Sequence, residues 1–297
     1  SRLKPKEIAS KVGLSKNAVT YRINRLVKES YIKNFSPMTD FQKLGLYSYD
    51  LFLKIRSSTE EEKKIKKYFA EHPSIIWTTT LFGKWDLFAQ IIAKDVKDFS
   101  KVLEEITIFL GNNAENYEVQ FPIRRIKIDR TVFDYQKETG YKFKPYDTGE
   151  IIIKIDDLDK KILQYLCTKD GLASYKEVAR AVSASLETTR NRMIALLKNG
   201  VIVRYAPGIN YEKLELQTYL VIVNFHYLTN KSIQEIYIYI NHNKNIKIAF
   251  ETIGKQEFHF YVTVKSPKDL ENLIKIFRNE FHDTILNLDH MLITEEL

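Results

Sequence analysis

The 297-residue chain has one cysteine, Cys167, so no internal disulfide can form and a reducing compartment is expected. No apolar run approaches the roughly 20 residues of a membrane-spanning helix. The longest apolar runs, such as 219–225, are strand-sized. A charged and then apolar leader is missing from the first residues, so a cytoplasmic address is expected. The six histidines, His72, His226, His242, His259, His282 and His290, show no metal-ligand spacing, and one thiol cannot complete a thiolate cluster. G-x-S-x-G, a phosphate-binding glycine loop and H-E-x-x-H are also missing. The expectation is no catalytic residue, no metal and no cofactor.

Positive charge is present, and it is clustered. Residues 1–40 carry nine Lys/Arg against three Asp/Glu, a net +6, and residues 171–210 carry six against two, a net +4. The whole chain is +8, so the remainder sums to −2 (8 − 10). Charge for solubility would be spread evenly, whereas charge that meets phosphates is concentrated.

The first basic segment, 3–35, has the pattern of a helix, a tight turn and a second helix. Pro5 suits a first helical turn, Gly13 a left-handed C-cap, and Ser15 the N-cap of the next helix. Val19, Ile23 and Leu26 recur at spacings of four and three, an inward stripe. Lys16, Asn17, Thr20, Tyr21 and Asn24 fall outward, flanked by Arg22 and Arg25. A buried stripe backed by cationic and hydrogen-bonding residues suits a recognition helix in a DNA major groove. Residues 32–35 are expected to begin a wing strand. An ordinary amphipathic helix pair is the alternative; the basic rather than mixed polar face favours DNA.

Shifting the sequence by 170 residues lays residues 1–37 on residues 171–207 without a gap. Glu7/Glu177, Ala9/Ala179, Ser15/Ser185, Arg22/Arg192, Leu26/Leu196 and Pro37/Pro207 are identical. Later matches, Gly83/Gly254 and Asp98/Asp269, need one inserted residue. So long a period marks a duplicated domain pair. The spacing predicts strands at 47–56, 75–82, 85–93 and 117–128 with helices at 60–72 and near 99–106. The second copy repeats them, with strands at 217–226, 246–253, 257–265 and 285–293. Each is a βαββαβ, ferredoxin-like plan in an α+β chain.

Strand parity puts Phe52, Phe88 and Ile92 opposite Leu51, Leu87 and Ile91, and Leu220 and Ile222 opposite Val221 and Val223. Two helices cover one sheet face, so the second apolar face needs its own cover. The two sheets are therefore expected to pack face to face as an internal pseudo-dimer, with a second chain as the alternative. The expected domains are a winged helix-turn-helix over 1–45 that lacks its first helix, a ferredoxin-like domain over 46–134 and a linker over 135–155. A second winged helix-turn-helix over 156–215 and a second ferredoxin-like domain over 216–297 follow. Residues 151–155 are expected to form a short strand and 156–170 a helix.

With DDLDKKIL, EIASKVGLSKNAVTYRINRL and GKWDLF in view, the chain resembles the Lrp/AsnC (feast/famine) family of transcription regulators, as a tandem duplication. The resemblance implies sequence-specific binding of double-stranded DNA, dimers or higher homo-oligomers, a nucleoid-associated location and modulation by an amino acid or related molecule. It also implies that the hairpin with Gly83, Trp85 and Asp86 lies near the effector site; a turn glycine and a packed aromatic are the structural alternative. The second recognition helix departs from the first, with Leu186, Glu187, Ile194 and Ala195 replacing Lys16, Asn17, Asn24 and Arg25. It keeps Ser185, Thr188, Arg190, Asn191 and Arg192 as DNA-contact candidates. Unequal half-site contacts are expected, with readers about one helical turn, roughly 34 Å, apart. Two alternatives stand beside this reading: a DNA-coating architectural protein with little sequence preference, and a sirohaem-decarboxylase-like enzyme. The enzyme reading is weakened by the missing His-Asn-Tyr stretch; His259 is expected to stand alone and to be structural.

Overall fold

The computed structural model describes residues 5–128, 152–169, 171–254 and 258–297. The first copy runs α1 (Pro5–Val12), α2 (Lys16–Lys28), β1 (Ile32–Thr39), β2 (Tyr47–Ile55), α3 (Thr59–Glu71), β3 (Ile75–Phe82), β4 (Leu87–Ala93), α4 (Val96–Leu110) and β5 (Ala114–Ile128). The second runs α5 (Asp157–Thr168), α6 (Tyr175–Ala181), α7 (Leu186–Lys198), β6 (Ile202–Ile209), β7 (Gln217–Phe225), α8 (Asn230–His242), β8 (Ile246–Ile253), β9 (Phe258–Val264), α9 (Pro267–Glu280) and β10 (Ile285–Glu296). The inserted residue falls before α8, because β2 and β7 are offset by 170 whereas α3 and α8 are offset by 171.

Contacts divide the chain into two compact units that each draw on both copies: Ser1–Gly45 with Glu150–Glu215, and Leu46–Gly149 with Leu216–Leu297. In the first unit the two wing strands pair with one another. β1 and β6 run antiparallel, with Phe35 opposite Pro207 and Ser36 opposite Ala206. The expected strand at 32–35 thus extends to Thr39 and finds its partner in the other copy. Ile162, Leu163, Leu166, Val178, Met193 and Leu196 form the apolar core under α5–α7. The expected linker over 135–150 lies outside the described residues. A strand at 151–155 does not form: residues 152–156 are irregular, and Ile151 is outside the described set. The Ile153 N–H donates to Lys43 O at 2.7 Å, while Ile153 and Ile155 pack on the α5–α7 core. Side-chain burial there does not require a ladder.

Each helix-turn-helix corner needs a residue in the left-handed region. Gly13 supplies it in the first copy at φ +67°, where the Leu14 N–H reaches Ala9 O at 3.1 Å. Ser183 occupies the equivalent corner at φ +56°, with the Ala184 N–H on Ala179 O at 3.0 Å. A Cβ is strained there. Ser183→Gly is expected to stabilise the protein by about 0.5–1 kcal/mol, read by denaturant midpoint, whereas Gly13→Ala should destabilise it.

In the second unit each copy forms a four-stranded sheet in ferredoxin-like order, β3-β4-β2-β5 and β8-β9-β7-β10. α3 and α4 cover the first sheet through Ile65, Phe69, Phe99 and Ile106, packed on Leu51, Leu87 and Ile91. α8 and α9 cover the second through Ile236, Ile240, Leu270 and Phe277, on Val221 and Val223. The opposite faces meet as expected: Phe52, Trp85, Phe88, Leu220, Ile222, Tyr261 and Met291 form one buried cluster from both copies. Face-to-face contact is not the whole of the joint. β5 pairs with β8 and β10 with β3, so the eight strands close into a barrel. At 15 and 12 residues, β5 and β10 are long enough to leave their own sheet and satisfy the other copy's edge.

Candidate nucleic-acid interface

The α2 recognition face is built by its cap and its buried stripe. Ser15 accepts the Ala18 N–H at 3.1 Å, Val19 is buried, and Ile23 and Leu26 are half-buried. Lys16, Asn17, Tyr21, Arg22, Asn24 and Arg25 are exposed, Tyr21 by 67%. Thr20 is half-buried, and its hydroxyl donates to Lys16 O at 3.0 Å. The Arg25 guanidinium lies 3.6 Å from the Glu29 carboxylate with both side chains about half-exposed, a pair that water leaves weak.

The second recognition helix has the same cap and a different face. Ser185 accepts the Thr188 N–H at 3.0 Å and donates to Thr188 Oγ1 at 2.8 Å. Thr189, Met193 and Leu196 are buried beneath it. Thr188, Arg190 and Asn191 are exposed, among Leu186, Glu187 and Ile194. Arg192 is engaged within its own copy. Its guanidinium lies 2.7 Å from Asp156 and 3.1 Å from Asp159, the two members of the capping box that starts α5. The arginine, placed among the DNA contacts by its match to Arg22, ties α7 to α5. The backbone amide of Asp159 and then the Arg192 charge hold the Asp156 carboxyl below the usual carboxylate range.

The hairpin residues Gly83, Trp85 and Asp86 are each committed to the barrel. Gly83 has φ +148°, and a Cβ there would come 2.9 Å from Met291 of the other copy. Gly254, its counterpart at φ +144°, makes the same room for Gln120. Trp85 is 4% exposed in the barrel interior. Asp86 takes the Lys54 ammonium at 2.8 Å and the Ile55 N–H at 2.7 Å. Beside the hairpin is an open hollow of about 460 Å³, bordered by Lys54, Lys84, Trp85, Glu115, Tyr117 and Glu118. One pair is not legible in the sequence. His259 does not stand alone but lies fully buried in the barrel, its Nδ1 3.4 Å from Oδ2 of the equally buried Asp50. The available signal is Asp50 itself, a carboxylate on the same strand face as Phe52.

A winged helix-turn-helix DNA-binding family profile matches residues 1–33 and 155–203, the segments that carry α1–α2 and α5–α7. An uncharacterised HTH-type transcriptional regulator of Pyrococcus furiosus is 30% identical over 123 residues, which span 41% of this chain and 81% of that protein. The chain belongs to the HTH-type transcriptional regulators. As a regulator it carries the one-copy plan twice, and 41% coverage is about what one copy gives. Among solved structures, the sirohaem decarboxylase NirDL matches 99% of this regulator and 86% of its own chain, with a TM-score of 0.64 and 13% identity. That likeness concerns the fold. An AsnC-family regulator from Agrobacterium tumefaciens matches 48% of the chain and 91% of its own, with a TM-score of 0.43 and 18% identity. No helix among the described residues is long and apolar enough to cross a membrane.

Proposed function

We propose that this regulator reads one specific, non-palindromic duplex site, with α2 supplying most of the affinity and α7 a weaker, differently sequenced contact. The observation that carries the reading is the inequality of the two helices. α2 exposes two cations and two asparagines where α7 exposes Leu186, Glu187 and Ile194 and leaves Ala195. Lys16, Arg22 and Arg25 meet phosphates, while Asn17, Tyr21 and Asn24 meet base edges, with Thr20 at the margin. Ser15 caps α2. Thr188, Arg190 and Asn191 serve the second half-site, with Ser185 as its cap and Arg192 as the brace that holds α7. Selection of bound sites from random duplexes tests this. An asymmetric consensus is expected, and Asn17→Ala should change which bases are preferred in the α2 half while leaving the salt slope intact. An unaltered preference would remove Asn17 from base contact.

We infer that an amino-acid-like effector occupies the hollow beside the hairpin. Lys54 and Lys84 offer cations to a carboxylate, Glu115 and Glu118 offer carboxylates to an ammonium, and Tyr117 and Trp85 supply apolar surface. Gly83 and Asp86 act there by shaping the hairpin. A rise in melting temperature with one amino acid among the twenty, abolished by Glu118→Gln, is the expected result; no response to any of them would refute it. The enzyme alternative is tested by adding sirohaem, and no haem-type band is expected.

A further inference from the structure

The two ferredoxin-like copies place the same positions opposite one another twice, so each inter-copy contact has a pseudo-symmetric counterpart. The registers carry the correspondence: Phe121 faces Ile253 as Leu292 faces Phe82, and Arg124 faces Glu251 as Glu295 faces Thr80. On this correspondence Asp50 matches Leu220 and His259 matches Phe88. One side of the barrel thus joins Asp50 to His259, and the pseudo-symmetric position holds Leu220 and Phe88, both buried in the interior cluster. Polar meets polar and apolar meets apolar.

Exchange the partners and the matching fails. Two first copies would set each buried Asp50 against Phe88, leaving it the Gln90 amide of its own sheet, which donates to Oδ1 at 3.0 Å, and no polar group across the barrel. Two second copies would set each buried His259 against Leu220. A buried ionised or polar group without its partner is far costlier than an apolar contact. The barrel rim repeats this logic with charges that are mostly half-buried. Lys66 on α3 lies 3.0 Å from Glu295 on β10, while the counterpart positions carry Tyr237 on α8 and Arg124 on β5. Arg124 donates to Tyr237 Oη at 2.6 Å and lies 3.2 Å from Glu251. Two first copies would oppose Lys66 and Arg124; two second copies would oppose Glu251 and Glu295. Lys84 and Asp289, 3.4 Å apart, do not discriminate, because the counterparts Lys255 and Glu118 have the same signs.

We propose that the half-barrels carry a pairing code that makes each the partner of the other and rejects a second copy of itself. The interaction surface is the barrel interior plus its two closing edges, and the partner it fits is the complementary half of this chain. Divergence after duplication has removed self-recognition, so every closed barrel is attached by the chain to one α2 and one α7. The asymmetric operator proposed above rests on the helices and stands or falls separately.

The test uses the full chain, cleaved once at a protease site introduced between Gly140 and Pro145, with both fragments kept together, unfolded in denaturant and refolded. Native mass spectrometry then counts mixed and like pairs. The wild-type fragments should return almost wholly as mixed pairs. Lys66→Glu with Glu62→Lys and Glu295→Lys preserves both native ion pairs of residue 66 at reversed polarity, yet turns both like pairings attractive. The new carboxylate at position 66 then faces Arg124, and the new ammonium at position 295 faces Glu251. The like-paired fraction should rise several-fold. Asp50→Leu with His259→Phe should fold and raise that fraction further, whereas either change alone should lower the melting temperature by roughly 10 °C. Random pairing of the wild-type fragments overturns the proposal. So does wild-type fidelity in the folded charge-reversed variant, a surface change that leaves the core intact.

Discussion

Replacing Lys127 by methionine lowers the stability of the barrel unit by about 2–4 kcal/mol, a fall in melting temperature of roughly 5–15 °C. Lys127 is 7% exposed on β5 of the first copy, and its ammonium donates to Ile240 O at 3.1 Å, Asn241 O at 3.2 Å and Asn243 O at 2.7 Å. Those carbonyls close α8 of the second copy, the end of a helix where orphan acceptors and the negative end of the dipole gather. Methionine keeps most of the volume and removes every donor. The cost is then the unsatisfied carbonyls rather than a cavity. Because the lysine and the helix belong to different copies, the loss registers in barrel closure, and hydrogen exchange should accelerate along β8 as well as in α8. A change below about 0.5 kcal/mol by chemical denaturation would mean that water replaces the ammonium without penalty.

The largest functional effect is expected from Lys16→Ala with Arg25→Ala. Two phosphate contacts removed from one duplex make the slope of log affinity against log salt shallower by about 1.8, at roughly 0.9 per contact. Affinity falls by roughly 10- to 100-fold at low salt for every duplex alike, which separates this pair from Asn17. Arg192→Ala behaves oppositely. It unties α7 from Asp156 and Asp159 and lowers thermal stability, while the salt slope of the intact helix α2 remains. Equal slopes for the double variant and the parent, measured by fluorescence anisotropy, would place both cations off the DNA.

Much of this architecture is legible in the residues. The alternation around Phe52, Phe88, Leu220 and Ile222 identifies a second buried sheet face before any coordinate, because side chains in a strand change face at every step. The caps at Ser15 and Ser185 and the corner at Gly13 are legible for the same local reason. What stays hidden is non-local. Nothing in 114–128 announces that its last residues leave their sheet for β8, since a ladder partner is chosen by edge availability and not by composition. Arg192 resembles Arg22 in the alignment, yet its role is fixed by Asp156 and Asp159, which lie more than thirty residues away. His259 looks solitary in the sequence because its partner, Asp50, lies in the other copy. The duplicated sequence displays correspondence; the differences between corresponding residues carry the specificity.

The most direct test is the ratio of affinities for a selected duplex and for unrelated duplex DNA, measured with the full chain at one salt concentration. The ratio expected for a regulator that reads its site through α2 and α7 is about 10³ or more, with base changes in the α2 half costing more than those in the α7 half. Equal affinity for both duplexes, or no binding to either at modest ionic strength, would contradict it.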